Sequence, residues 1–253
     1  VGPVAVPIDE GYPTPHALTT AELHDIVRKF GEAARRADEA GFDMIEIHGA
    51  HGYLIASFLT PLVNERTDEY GGDRAGRMRL ALEVVREIRA NWPAGKALFF
   101  RVSTEDGGGP GGWSVEDSVV LAKELHKAGV DVVDCSSGGL RTSAVLQNTA
   151  RGLGFQVPYA DQIRHEASMA TMAVGLILDG PQAEAILRED RADFIAIGRQ
   201  AMYDPFWAHH AAQQLQSDPD FSNWNESAGW WLHKRIGTLK LAGCKPDGTE
   251  ASD

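Results

Sequence analysis

Glu46-Ile47-His48-Gly49-Ala50-His51-Gly52-Tyr53 brings two histidines and a tyrosine within six positions. Small residues separate them, and an apolar run precedes them. Two imidazoles at this spacing can converge on one acceptor oxygen. Two N–H donors on a carbonyl stabilise a developing oxyanion or enolate. A phenol two residues further on can hand a proton to carbon, which is general-acid work. The same residues admit two other readings. His48 and His51 can be hydrogen-bonded structural side chains, or part of a zinc site with more distant ligands. The helical zinc-protease motif does not fit, because it needs a Glu between the two histidines and Gly49-Ala50 stand there.

A charged residue, Arg101, interrupts the apolar run Ala97-Leu98-Phe99-Phe100. Burying it without a partner is costly. The partner is either an acidic neighbour, Glu46 or Asp134, or the electron-rich edge of a cofactor. Glu46 and Asp134 sit near the ends of their own apolar runs, so they read as acid–base groups or as ion-pair partners of Arg101. A third constellation joins Val174-Gly175-Leu176 and Asp179-Gly180 to Ile197-Gly198-Arg199. Glycine lets a phosphate approach backbone N–H groups, a helix N-terminus favours an anion, and Arg adds a forked donor. Cys135 reads as a small buried hydrophobe. Trp230-Trp231 reads as packing, an interface or a pocket wall.

These residues need elements to position them, and a weak internal repeat supplies the elements. Ala40-Gly41-Phe42-Asp43, Ala128-Gly129-Val130-Asp131 and Arg191-Ala192-Asp193 each close a helical pattern and open a short apolar run. Gly suits the left-handed cap between them. Thr19-Thr20-Ala21-Glu22 is a capping-box sequence opening a helix to about Ala40. Helical spacing also predicts helices around Met78–Ile88, Ser114–Ala128 and Pro181–Glu189. Strands are predicted at Phe42–His48, Ala97–Ser103, Val130–Ser136, Met172–Asp179 and Asp193–Gly198. Alternation of helix and strand implies right-handed crossovers and a parallel sheet. Active residues then lie just past the strands' carboxyl ends. That rule selects His48, Arg101, the Ser136-Ser137-Gly138-Gly139 turn, Asp179-Gly180 and Gly198-Arg199. Phosphate commonly sits after strands seven and eight of an eight-stranded barrel. If the last two strands are those, Phe42–His48 is strand four, and the first three are not in this sequence. Pro3–Pro15 reads as a loop. The expected division is one barrel domain over 1–237 and a polar tail over 238–253, with a turn at Lys245-Pro246-Asp247-Gly248.

Composition excludes several classes. The 253 residues carry a net charge of −12 and no basic run longer than Lys234-Arg235, against a nucleic-acid or anionic-membrane surface. No apolar stretch approaches the roughly 18 residues that span a bilayer. Two cysteines, Cys135 and Cys244, do not form a disulfide framework, and a reducing cytoplasm is expected. The sequence starts at Val1 without Met or a signal-peptide pattern, so a processed or incomplete chain is expected.

Several stretches resemble the Old Yellow Enzyme family of flavin-dependent ene-reductases. They are Ile45–Leu54, Phe58-Leu59-Thr60-Pro61, Asn64-Glu65-Arg66-Thr67-Asp68-Glu69-Tyr70-Gly71-Gly72, Phe100-Arg101-Val102-Ser103, Asp134-Cys135-Ser136-Ser137-Gly138 and Ile197-Gly198-Arg199. The resemblance runs from about Ile8 to Trp231. It is nearest the xenobiotic-reductase and thermophilic-like branch, whose carbonyl pair is His and His. The family's loop usually continues Gly-Gly-Ser, whereas this chain reads Gly72-Asp73-Arg74. The branch with an iron–sulfur cluster is not expected, since only Cys244 follows the barrel in this sequence. The resemblance implies an α/β fold, a TIM (β/α)8 barrel of which about strands 4 to 8 are present, with FMN at its carboxyl face. It implies that His48 and His51 bind the carbonyl of an α,β-unsaturated substrate, with Trp231 in the substrate pocket, and that Tyr53 protonates the α-carbon. Hydride reaches the β-carbon from flavin N5, and NADPH or NADH reloads the flavin in a ping-pong cycle. Arg101 then faces the flavin pyrimidine, while Gly175, Leu176, Gly198 and Arg199 hold its phosphate. No metal is expected. The expected partners are an enone, the missing N-terminal segment of the same barrel, and a second copy in a dimer or tetramer. Two alternatives stay open: an inactive fragment or subunit, and a metal-dependent barrel hydrolase built on His48 and His51.

Overall fold

A computed structural model describes residues 1–7, 11–139 and 151–244. The expected start of the resemblance at Ile8 and the turn at Lys245–Gly248 lie outside them. Five parallel strands form one sheet in the order β1-β2-β3-β4-β5. They are β1 (Met44–Gly49), β2 (Ala97–Ser103), β3 (Val132–Ser136), β4 (Ala170–Ala173) and β5 (Phe194–Ile195). Sequential neighbours pair because a helical crossover returns the chain to the same end each time. The helices, in chain order, are α1 (Thr20–Glu39), α2 (Leu54–Leu59), α3 (Arg74–Asn91), α4 (Val115–Ala128), α5 (Val157–Ala167), α6 (Gly180–Arg188), α7 (Arg199–Tyr203), α8 (Trp207–Gln214) and α9 (Glu226–Leu241).

The helix signals in the sequence have physical counterparts. Thr19 caps α1 through a reciprocal capping box with Glu22, and Ser114 caps α4 through one with Asp117. Gly129 closes α4 at φ 101°, in the left-handed region. The third repeat has no glycine there, and Asp190 takes the left-handed turn instead, at φ 62°. Along β3 every residue is buried, as suits a central parallel strand. In β1, by contrast, Met44, Glu46 and His48 are exposed while Ile47 and Gly49 are buried. Leu80, Val84, Val85, Leu98, Phe100, Leu121, Leu125 and Ile163 are among the largest fully buried side chains. Each contributes roughly 1.5–3 kcal/mol of transfer free energy.

Three expectations need correction. The fourth strand is Ala170–Ala173 rather than Met172–Asp179. The chain leaves the extended region at Gly175 (φ 114°) and Leu176 (φ 50°), so the apolar residues after Ala173 form a turn. The fifth strand is only Phe194–Ile195, because β4 ends at Ala173 and offers it little to pair with. The tail expected from 238 begins inside α9, whose helical bonding runs on to Ala242 N–H donating to Thr238 O. Helices α2, α5, α7, α8 and α9 were not predicted. Two of them, α2 and α7, are six and five residues long, too short for a period to register.

The chain divides into two compact units. One is Val1–Leu176 with Ile186–Ala196, and the other is Ile177–Ala185 with Ile197–Asp253. The sheet belongs to the first.

Candidate active site

The register of the sheet builds a row of polar side chains. His48 on β1 is the ladder partner of Arg101 on β2, and Arg101 is the partner of Asp134 on β3. Parallel strands in register present paired residues on the same face, so the imidazole, guanidinium and carboxyl share one side of the sheet near its carboxyl end.

The loop after β1 then folds two more groups towards His48. The His51 ring centroid is 5.3 Å from that of His48, at 47°. The Tyr53 ring is also 5.3 Å from His48, at 57°. His51 adopts φ 59°, a left-handed conformation uncommon for histidine. Neighbouring strand ends hold it there. Its backbone N–H donates to Ser103 Oγ at 2.9 Å, and Ser103 Oγ–H donates to Gly138 O at 2.6 Å. Its Nε2 lies 2.7 Å from Ser136 Oγ. Position 139 admits only glycine, since a Cβ there would come within 2.2 Å of His51 Cα and φ is 117°. Tyr53 is the N-cap of α2 but makes no side-chain cap bond, and it is 65% exposed.

Electrostatics keep both imidazoles neutral near pH 7. Burial, then the Arg101 charge, then His48 push His51 down to about 4. Burial and Arg101 also lower His48. A neutral imidazole still has one N–H to give an oxygen. Burial, opposed by Arg101 and assisted by Glu46, pushes Asp134 up to about 7. Glu46 keeps contact with solvent, yet desolvation raises its carboxyl against the pull of Arg101. Burial raises the Cys135 thiol well above its ordinary value, which leaves it a core residue rather than a nucleophile.

Arg101 Nε is 3.1 Å from Asp134 Oδ2, the ion pair anticipated as one of its options. The contact is one of charge rather than an aligned hydrogen bond. Arg101 Nε and Asp134 Oδ1 are both buried without a hydrogen-bond partner. Beside Tyr53 a cavity of about 550 Å³ opens between the N-terminal loop (Gly2, Pro3) and the start of α2 (Leu54, Ser57). Arg66 pins that loop, its Nη1 donating to Pro3 O at 3.0 Å and to Leu18 O at 2.6 Å while the fork pairs with Asp68.

The remaining expected residues are placed as follows. After β4, Gly175 lies against Gln156, whose Nε2 would be 2.8 Å from a Cβ at 175. Gln156 accepts from Ser137 Oγ–H at 2.7 Å and donates to Val174 O at 3.2 Å, tying the ends of β3 and β4 together. Leu176 is exposed with its carbonyl accepting from Gly154 N–H. In the second unit, Gly198 is the N-cap of α7 and Arg199 its exposed first residue. Trp231, also in the second unit, is 65% exposed on α9 with its ring edge-on to Trp230 at 4.5 Å. Among the described residues no group of three or more His, Cys, Asp or Glu converges to hold a metal ion, and no helix is long and apolar enough to cross a membrane. The strand-end rule picked out Ser136, and Ser103 lay in a family-like stretch, but sequence reasoning gave neither its contact with His51; Gln156 had no signal at all.

Known proteins resemble this chain over most of its length. The model of the NADH:flavin oxidoreductase / NADH oxidase family matches residues 3–218. The NADPH dehydrogenase of Bacillus subtilis (strain 168) is 46% identical over 216 residues, covering 85% of this chain and 62% of that protein. The NADPH dehydrogenase of Geobacillus sp. (strain WCH70) is 45% identical over 215 residues, 85% of this chain and 61% of its own. The chain thus spans about three-fifths of the length of these relatives. A morphinone reductase variant in complex with tetrahydroNAD has a TM-score of 0.68 at 26% identity, over 84% of this chain and 59% of that one. The Old Yellow Enzyme resemblance and the partial α/β barrel read from the sequence are both borne out.

Proposed function

The chain belongs to the NADH:flavin oxidoreductase / NADH oxidase family, and from that premise we propose that it is part of an FMN-dependent ene-reductase. Its substrates are α,β-unsaturated carbonyl compounds, and NADPH or NADH is the reductant. The observation that supports this reading is the convergence of His48, His51 and Tyr53, whose rings stand 5.3 Å apart pairwise about His48.

The described residues suit the cofactor on two counts. Arg101 has a buried Nε without a hydrogen-bond partner beside the histidines, and a charged donor there suits the electron-rich edge of a flavin. Gly175 has neither the φ nor the room for a side chain, so a ligand can approach the backbone that follows β4. Gly175 and Leu176 after β4, and Gly198 and Arg199 after β5, are the proposed phosphate holders.

When bound, FMN supplies the hydride chemistry. The protein's own residues supply the rest. His48 and His51, both neutral, each direct an N–H at the substrate carbonyl and stabilise the negative charge that grows on its oxygen. Tyr53 Oη, reaching the same space, gives a proton to the α-carbon. The cavity beside Tyr53 houses part of the substrate. The exposed face of β1 (Met44, Glu46, His48) is covered by further strands of the same protein, which completes the barrel.

Purified full-length protein should be yellow and should reduce cyclohexenone with NADPH. A colourless preparation that neither takes up FMN nor turns over would refute the proposal.

A further inference from the structure

Asp134 is an expensive residue where it stands. It is 1% exposed, at the middle of the sheet, and its Oδ1 has no hydrogen-bond partner. Burying a carboxyl without satisfying both oxygens is unfavourable, and an apolar side chain of similar size would pack there at less cost. Among the described residues its one ion pair is with Arg101, directly across the β2–β3 ladder, with Nε 3.1 Å from Oδ2. Arg101 itself is only partly covered, with 27% of its side chain exposed. Arg101 also acts on every neighbour in the row, since its charge is felt by Glu46, His48 and His51 as well as by Asp134. An Arg side chain has many rotamers, and one that must meet a ligand in a fixed pose needs something to restrict them.

We propose that Asp134 is a positioning residue that anchors the Arg101 guanidinium from the buried side and leaves the rest of its fork to the ligand beside His48. The inference rests on the flavin reading above for the identity of that ligand. Asp134 itself touches neither substrate nor cofactor. Glu46, on the neighbouring row of β1, does not replace it, because it remains open to solvent and, among the described residues, makes no ion pair with Arg101.

The test is a double-mutant cycle read by FMN affinity, with apo full-length protein titrated with FMN and quenching of flavin fluorescence followed. Asp134→Asn should weaken FMN binding roughly tenfold, about the worth of one charge-assisted hydrogen bond. Arg101→Gln should weaken it at least as much. The double variant should be no weaker than Arg101→Gln alone, because Asp134 acts only through Arg101. Asp134→Glu should recover part of the loss. Losses that multiply in the double variant would overturn the inference, as would wild-type affinity in Asp134→Asn. Should Asp134→Asn fail to fold, Asp134→Glu takes its place in the cycle under the same criterion of non-additivity. A wild-type protein that takes up no FMN would bring down the flavin reading first and this inference with it. A wild-type protein that binds FMN with an additive cycle would bring down this inference alone.

Discussion

The ends of β1 and β4 lie in the same compact unit and do opposite things with their side chains. After β1 the chain presents large polar groups: His48, His51 and Tyr53 crowd together at ring distances of 5.3 Å about His48. The backbone there is fixed by Ser103 and the bare Cα of Gly139, and the His51 ring by Ser136. After β4 the chain withdraws its side chains. Gly175 has none, and Leu176 turns into the left-handed region at φ 50°. One strand end offers functional groups held by backbone. The other offers backbone held by a side chain, Gln156. A ligand that needs both chemistry and an anchor would find them with two strands of sheet, β2 and β3, between.

The contrast is broken most severely by removing the β1 side chains. Replacing both His48 and His51 with Ala should slow reduction of an enone by about 10³-fold, the order reached when oxyanion donors are lost. On the proposed reading, reduction of the flavin by NAD(P)H should change little, because that half-reaction would not use the proposed carbonyl grip. Stopped-flow measurement of the two half-reactions separates them, and equal slowing of both would contradict the assignment. Tyr53→Phe should be milder, roughly 10²-fold on the same half-reaction and near the lower range for general acids. It leaves the ring packing against His48 in place, so an unchanged melting temperature together with an unchanged rate would remove Tyr53 from the mechanism.

The β4 end should break differently. Gly175→Ala forces a Cβ into a φ of 114° and to within 2.8 Å of Gln156 Nε2. The expected cost is about 1–3 kcal/mol of stability, measurable by urea unfolding, together with weaker FMN uptake. A Gly175→Ala protein of wild-type stability would show that this turn relaxes readily and is no fixed cradle.

The same contrast explains what was legible in the sequence. Side-chain chemistry can be read directly, because His-x-x-His-x-Tyr states both its donors and its spacing. The turn after β4 could not be read, because Met172–Leu178 is apolar and β-like, and only the backbone angles at Gly175 and Leu176 end the strand at Ala173. Capped helices such as α1 and α4 announced themselves through Thr19 and Ser114. The six residues of α2 did not, because one and a half turns carry no period, and their burial at Ile55, Phe58 and Leu59 is a tertiary fact. The Arg101–Asp134 pair was legible only as one option among several. Its selection needed the register that sets the two residues side by side.

The smallest expected effect concerns protonation at the β1 end. His51 has a folded-state pKa near 4 against an ordinary 6.5, chiefly because it is desolvated. Between those values the unfolded chain binds a proton that the folded chain does not. Stability therefore rises with pH through the window from about 4 to 6.5, and is lost as pH falls through it. His51→Gln removes the titrating group, and Gln can still hydrogen-bond to Ser136. The wild-type protein should thus lose more stability than His51→Gln between pH 6.5 and 4.5, and the two should run parallel above pH 7. Melting curves of the two proteins across that range measure the difference. Partial exposure of the ring to solvent keeps it small. Identical slopes would mean that His51 takes up its proton as readily in the fold as out of it. His51 would then be neutral at pH 7 only to the extent that an ordinary imidazole is, with no help from the fold.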